Sequence, residues 1–435
     1  MRVTLKFSLE SPQNIKQQLL LWSQQYHEVV WLDSNEYQTN HNNFDAILAV
    51  DALTLLQTDV VNGFQKLEEY QKTTNDWIFG YLSYDLKNDV EHLISQNHDG
   101  LEFPELYFFQ PKKIFFLKGN TLEVQYLQMV DDELQEDVCA ILTTKIDQEV
   151  FTHEGSNKEH RPKIKLRIHK DEYHEKVNKL LAHIHRGDIY EANFCQEFYA
   201  ENAEIDPLST YTHLNHISKP PFATYMRLED KYILSASPER YIKKKGTKII
   251  SQPIKGTAKR SEDVLEDQQL IENLQNDEKE RAENIMIVDL VRNDLSKTAI
   301  KGSVQVEELC KIYTFDQVHQ MISTVVSEVA EDQNPIEILK TTFPMGSMTG
   351  APKISAMQII ENLEETKRGI YSGAIGYFTP QSDFDFNVVI RSILYNSTKK
   401  YVSYSVGGAI TAKSIPEKEY EECLIKAKAM REVLE

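Results

Sequence analysis

The chain has 435 residues, and 48 Lys plus Arg against 67 Asp plus Glu give a formal net charge of −19. A balance this acidic excludes nucleic acid or an anionic membrane as the main partner. The length suits two or three average domains or one large one. No apolar run approaches the roughly 20 residues that span a bilayer, and "MRVTLKFSLE" lacks the apolar core of a signal peptide. The four cysteines, Cys139, Cys195, Cys310 and Cys423, form no CxxC pair. These features predict a soluble cytoplasmic protein, in a reducing compartment and without structural zinc.

Residues 1–150 mix strand-like runs, "HEVVWLD", "FDAILAVD", "KKIFFLKGN" and "TLEVQYLQMV", with polar helical stretches such as "LLQTDVVNGFQKLEEYQK". Residues 152–163, "THEGSNKEHRPK", are polar and aperiodic, which predicts a loop joining this N-terminal region to a second one at 165–432. "KDEYHEKVNKLLAHIHRGD" has apolar residues at helical spacing and stops at Gly187, a C-cap signal. Strands follow at "IYEANFCQEFYA", "FATYMRL", "KYILSAS" and "RYIKKKGTKIISQP", then two charged helices near 263–276 and 277–292. "TGAPKISAMQIIENLE" opens a helix with Pro352 near its first turn. The chain closes with "YSGAIGYF", "FDFNVVIRSILYN", "KYVSYSVGGAI" and a last helix from about Pro416. No repeat of 20–50 residues is present, and the pattern is α+β rather than a regular βαβ alternation.

A charge run such as "NDEKERAENIMIVDLVRND" is ordinarily a solvated helix face. Here Glu280 and Glu283 are three apart, and Glu283 shares a face with Met286, Ile287 and Leu290, so two carboxylates border an apolar stripe. Carboxylates there are costly to desolvate unless positive charge meets them. The last helix repeats the device with Glu419 and Glu422, and Lys426 follows Glu422 by four, by itself a common surface pair. Two helices that each offer two aligned carboxylates could hold a hard divalent ion, and Mg²⁺ takes few protein oxygens. No histidine pair has zinc-like spacing.

Three glycine turns could bring backbone N–H groups to an anion: "TGAPK" beginning at Thr349, "VGGAI" with Gly407, Gly408 and Ala409, and "PIKGT". Arg391 stands among apolar strand residues, where a guanidinium needs a carboxylate partner, from the protein or from a substrate. Lys255 in "PIKGT" follows a strand. Strand-end lysines are usually exposed, and at an ordinary pKa of about 10.4 only roughly one amine in a thousand is neutral near pH 7.4. As a nucleophile it must be desolvated or set beside another cation such as Lys426 or Arg391. Glu239 in "SASPERY" lies one strand earlier and could be a matched acid.

The stretches "GDIYEANFCQ", "SPERY", "QPIKGT", "AENIMIVDLVRNDL", "MGSMTGAPKISAM", "SGAIGYF", "VVIRSI", "VGGAI" and "EYEECLIKAKAM" resemble, in order, those of the chorismate-utilising enzymes. That family includes anthranilate, aminodeoxychorismate and isochorismate synthases. The resemblance implies two large antiparallel sheets packed as a sandwich, with helices outside and the site between the sheets. It implies that Glu283 and Glu422, with Glu280 and Glu419 alongside, coordinate Mg²⁺ against the ring carboxylate of chorismate. Lys426 and the backbone of "VGGAI" would face the same carboxylate, with Ala409 where relatives often have glycine. Arg391 and Tyr377 would hold the enolpyruvyl carboxylate, His319 would lie near the ring, and Glu239 would protonate the departing hydroxyl. "WLDS" at 31–34 is similar to an element that helps bind tryptophan in relatives.

Anthranilate synthases resemble this chain but carry PIAGT, whereas PIKGT resembles the large subunits that aminate chorismate at ring position 4. Retention at that position is reached by two displacements, the first by Lys255 at C2 and the second by ammonia at C4. None of the cysteines sits on the glycine-flanked turn of a triad glutaminase, so the implied ammonia source is a separate glutamine amidotransferase subunit. The competing expectations are an anthranilate synthase component, a water-using isochorismate or salicylate synthase, and a non-catalytic acidic scaffold.

Overall fold

The computed structural model describes residues 1–9, 14–37, 44–91, 93–146, 151 and 161–435. Most of the linker expected at 152–163 therefore lies outside the described residues. The N-terminal elements are β1 (Arg2–Ser8), α1 (Ile15–Ser23), β2 (Glu28–Asp33), β3 (Ala46–Thr58), α2 (Gly63–Thr74), β4 (Ile78–Leu82), α3 (Lys87–Glu91), β5 (Leu106–Lys118), β6 (Thr121–Leu127) and α4 (Leu134–Thr143). Next come β7 (Lys165–Leu166), α5 (Lys170–Arg186), β8 (Glu191–Ala200), α6 (Pro207–Ser218), β9 (Phe222–Leu228), β10 (Lys231–Ser237), β11 (Arg240–Lys245), β12 (Lys248–Gln252) and β13 (Ile254–Lys259). Helices α7 (Val264–Asn276) and α8 (Glu278–Ser296) lead to β14 (Gln305–Thr314), β15 (Val318–Glu328), α9 (Pro335–Thr342), β16 (Gly350–Ala351) and α10 (Lys353–Leu363). The chain ends with β17 (Ala374–Phe378), β18 (Phe384–Val388), β19 (Ser392–Asn396), β20 (Tyr401–Thr411) and α11 (Pro416–Leu434).

The strands form two antiparallel sheets. One runs β7–β8–β20–β19–β10–β9–β2–β3–β5–β6–β1, with β16 on the free edge of β8. The other places β15 between β14 and the β12/β13 pair and continues through β11, β18, β17 and β4 to β5. The long β5 belongs to both, so the hydrogen-bond network is continuous. Strands from before residue 150 also pair with strands from after 165: β2 with β9, and β4 with β17.

Successive strand side chains point to opposite faces, and here both faces are covered. In β2, Val29 and Trp31 meet a core under α1, α5, α6 and α11, while Val30 points inward. In β17, Ala374 and Phe378 meet a core under α8 and α9, while Ile375 and Tyr377 join the same inner layer. The result is helices, sheet, sheet, helices. It also explains why these strands read as unbroken apolar runs rather than as an alternation.

Helix boundaries follow local chemistry. The buried face of α5 is Tyr173, Val177, Leu180, Leu181 and Ile184, and the helix stops at Gly187, whose φ of 89° suits glycine. Asp263 and Asp277 cap α7 and α8 by accepting backbone N–H bonds. One expectation is corrected: "LLQT" at 55–58 is the end of β3 and not part of the following helix, which begins at Gly63. Its apolar residues pair with β5 from Leu106 to Phe109. Cys139, Cys195, Cys310 and Cys423 are free thiols, and no described helix is long and apolar enough to cross a membrane.

Candidate active site

The site forms where the chain crosses between the sheets. The step from β10 to β11 carries Glu239, and the step from β18 to β19 carries Arg391. The crossings lie side by side: Val388 N–H donates to Glu239 O at 3.0 Å, and Ala236 N–H donates to Arg391 O at 3.1 Å. Arg391 takes a left-handed backbone conformation, φ 51°, uncommon for a side-chain-bearing residue. Burial pushes its pKa below the ordinary guanidinium value. Among the described residues its side chain has neither ion pair nor hydrogen bond. Of the two partners the sequence left open, the structure thus supplies no protein carboxylate.

Glu239 is 4% exposed. Burial raises its pKa to about 7, against the pull of a hydrogen bond from Ser347, the charge of Lys255 and the Ile254 N–H. Ser347 Oγ donates to Glu239 Oε1 at 2.7 Å. The Ser347 turn is seated on β8 by Asn193, whose side chain donates to Ser347 O at 3.0 Å and whose N–H donates to Thr349 O at 2.8 Å. The Thr349 hydroxyl turns back on Gly346 O at 3.2 Å.

Lys255 leaves the ladder at a bulge, because the β13–β15 register shifts between Ile254 and Thr257. The bulge aims it at the opposite sheet, where its Nζ lies 3.1 Å from Glu191 Oε1. Burial alone would lower its pKa, but the carboxylates of Glu191, Glu283 and Glu239 outweigh burial and raise it. The expected desolvation is present; the expected cationic neighbour is not. Lys426 instead donates to Gly407 O at 2.9 Å and pairs with Glu422 at 2.7 Å. Carboxylates, not cations, set the resting state of Lys255.

The two carboxylate pairs are linked through Lys279 and are not gathered into one cluster. A Cβ on Gly256 (φ 92°) would lie 3.2 Å from Glu280 Oε2, and one on Gly408 would lie 3.6 Å from Glu419 Oε2 and 3.7 Å from Glu422 Oε1. Burial raises the pKa of Glu283 to about 7 and also raises Glu280 and Glu419. At Glu422 burial is overcome by Lys426, Lys279 and Lys255, and the pKa falls. Lys279 stands 3.8 Å from both Glu283 Oε1 and Glu419 Oε1, linking α8 to α11. Glu283 Oε1 is buried without a hydrogen bond. Among the described residues no three Asp, Glu, His or Cys side chains form a group that could hold a metal ion by themselves. An all-oxygen donor set with one orphaned oxygen still fits a hard cation completed by substrate and water.

Gly407, Gly408 and Ala409 pair with Cys195, Phe194 and Asn193 of β8. β19 covers β20 only as far as Ser403, so beyond it the other edge of β20 has no strand partner among the described residues. A side chain at Gly407 would collide with Cys195 Sγ at 2.4 Å.

Two assignments are corrected. Tyr377 pairs with Asp385, at the far end of β17 from the Gly373–Val389 contact that leads to Arg391. Its ring packs on Trp77 and Phe79, and it lines a cavity of about 70 Å³ with Asp33, Ser34, Phe44, Arg240 and Asn387. That cavity borders "WLDS". Tyr371, at the near end, places its hydroxyl 3.7 Å from Cys195 Sγ beside Gly407. His319 does not face the site: Nδ1 lies 3.0 Å from Thr314 Oγ1 and Nε2 2.9 Å from Asp267 Oδ1 of α7. Strand alternation puts its neighbour Gln320 on the opposite face, 1% exposed and with an unpartnered Oε1. The sequence also passed over Glu191, Lys279, Ser347 and Tyr371. Glu191 opens a strand that also carries Asn193, Gln196 and Glu197, so nothing in the sequence singled it out.

The model of the chorismate binding enzyme family matches residues 17–432. An anthranilate synthase component I-like protein of Synechocystis sp. is 34% identical over 378 residues, 86% of this chain and 76% of that protein. Aminodeoxychorismate synthase component 1 of Salmonella typhimurium is 40% identical over 264 residues, 61% of this chain and 58% of that protein. The crystal structure of anthranilate synthase component I from Streptococcus pneumoniae superposes with a TM-score of 0.77 at 25% identity, covering 91% of this chain and 93% of that one. Across the curated relatives the chain spans from 43% to 77% of their length.

Proposed function

The chain belongs to the chorismate binding enzyme family, and we propose that it aminates chorismate at ring position 4, as the large subunit of an aminodeoxychorismate synthase. Ammonia would come from a separate glutamine amidotransferase subunit, and Mg²⁺ would be the cofactor. The observation that carries this reading is Lys255, turned out of β13 at a bulge with its side chain only 11% exposed, facing the acid Glu239 of the β10–β11 crossing. The name of the Salmonella relative supports it; the name of the Synechocystis relative favours the alternative, amination at position 2 to anthranilate.

Arg391 would take the enolpyruvyl carboxylate, which gives its unpaired guanidinium an anion. The ring carboxylate would lie between Lys426, the backbone of Gly407–Ala409 and the four glutamates. Glu283 and Glu422, with Glu280 and Glu419 alongside, would hold Mg²⁺, which would supply positive charge facing the ring carboxylate. Lys255 gives up its ammonium proton to solvent, and the neutral amine then forms a bond to C2 as the ring double bonds shift, while the C4 hydroxyl departs as water with the proton of Glu239. A carboxyl whose pKa is about 7 is suited to donate at neutral pH. Ammonia next attacks C4 and releases Lys255. Product identification from chorismate, Mg²⁺ and ammonium salt tests the proposal: 4-amino-4-deoxychorismate is expected, with no turnover on glutamine alone. Anthranilate as sole product would establish the alternative, and isochorismate would replace both.

A further inference from the structure

Glu191 opens β8 where Lys255 reaches across from the other sheet. Its side chain is 1% exposed, and its Oε1 is engaged by Lys255 Nζ at 3.1 Å. Its Oε2 is buried with no hydrogen-bond partner. Buried carboxylate oxygens are rarely left without a donor, because such a group has lost its water and gained nothing. The donor this oxygen lacks is one that arrives with the reaction. Chorismate carries a single hydroxyl, at C4, and Glu239 is placed to receive it. The other N–H or O–H donor that 4-amination requires is ammonia.

We propose that Glu191 Oε2 is the ammonia site: it accepts an N–H bond from ammonia, directs the lone pair at C4 and takes up the proton released as the C4–N bond forms. The proposal rests on the 4-amination reading. The ammonia lone pair makes the C4–N bond, the two ring double bonds shift back, and the C2–N bond to Lys255 breaks. Its electron pair leaves on the lysine nitrogen, which departs as a neutral amine. The new C4 ammonium then passes one proton to Glu191. One carboxylate can serve both nitrogens because its two oxygens are spaced much like C2 and C4, where one nitrogen leaves and the other enters. Glu191 is thus a catalytic residue for the second displacement, where Glu239 serves the first.

Glu191→Gln keeps the size of the side chain and leaves an amide oxygen for Lys255. In the full chain it should raise the KM for ammonia roughly 10- to 100-fold, the loss of a charge-assisted hydrogen bond. The KM for chorismate should change little, and intact-protein mass spectrometry without ammonia should still show the chorismate adduct on Lys255. Glu191→Asp, which keeps the charge but withdraws it, should give a smaller rise in the same constant and serves if the amide variant does not fold. An unchanged ammonia KM in a variant that still forms adduct and 4-amino product overturns the site. So does a change confined to Mg²⁺ saturation, which would assign Oε2 to a metal-bound water. If the unmodified chain forms neither adduct nor 4-amino product, the 4-amination reading fails and takes this site with it.

Discussion

Lys255 and Arg391 are both part-buried cations near the junction of the two sheets, and their surroundings are opposites. Lys255 is ringed by Glu191, Glu283 and Glu239 and held above its ordinary pKa. Arg391 has no carboxylate against it and is pushed below its ordinary value by burial alone. A buried charge without a partner costs several kcal/mol, so Arg391 is relieved when an anion enters. Lys255 has its counter-charge already and must lose part of it before it can react. Under the proposed function, one cation would be a grip for substrate and the other a reagent kept under restraint.

The contrast is broken most directly at Lys255. Lys255→Ala should reduce 4-amino product on the order of 10⁴-fold or more, with any residue appearing as the 2-amino isomer from direct attack of ammonia. Lys255→Arg should not restore it, because a guanidinium stays charged. Full 4-amination by the alanine variant, read by chromatography against both standards, would reduce Lys255 to a positioning charge. Arg391→Met sharpens the other half. It should lower kcat/KM for chorismate roughly 100-fold, the scale of a lost charge-assisted pair, while Tm holds or rises because an unpaired buried charge is gone. A falling Tm with unchanged kcat/KM would mean that the guanidinium serves the fold.

The carboxylates around Lys255 come next. Glu283→Gln and Glu422→Gln should each raise the Mg²⁺ concentration for half-saturation roughly ten-fold or more with the fold retained, as followed by metal titration of thermal stability. Identical Mg²⁺ curves would take both residues out of a metal site. The smallest effect on stability is expected at Glu239. Its folded pKa, about 7, lies above the ordinary 4.5, so the folded state holds this proton more tightly than the unfolded chain. That contribution to stability is full below about pH 4.5 and is lost as pH rises towards 7, in total roughly 3 kcal/mol. Activity that needs the protonated acid should fall through the same region. Glu239→Gln should flatten this part of the stability profile while removing activity; an unchanged profile by chemical denaturation would show that Glu239 is not the titrating group.

The helices and many of the strands were legible in the chain because their causes are local. Gly187 ends α5, Asp277 caps α8, and the three-residue spacing of Glu280 with Glu283 and of Glu419 with Glu422 gives each pair a common face. Two errors share a source. Tyr377 and His319 were placed by the family resemblance, whereas a strand turns alternate residues to opposite faces and separates its two ends by about 3.3 Å per residue. Tyr371, six residues earlier, has its hydroxyl 3.7 Å from Cys195 Sγ, and Gln320, next to His319, has a buried unpartnered Oε1.

By itself the sequence determined the α+β class, several helix ends such as Gly187 and Asp277, the paired glutamates and the lysine of "PIKGT", all consequences of periodicity, capping and residue chemistry within a few positions. The tertiary structure decided the electrostatic company each group keeps. Glu191 is 64 residues from Lys255 along the chain yet 3.1 Å from its amine, while Arg391, set in a charged and acidic chain, meets no carboxylate among the described residues. Coulomb interaction and desolvation depend on separation and burial in space, and these exist only once the two sheets have closed on one another.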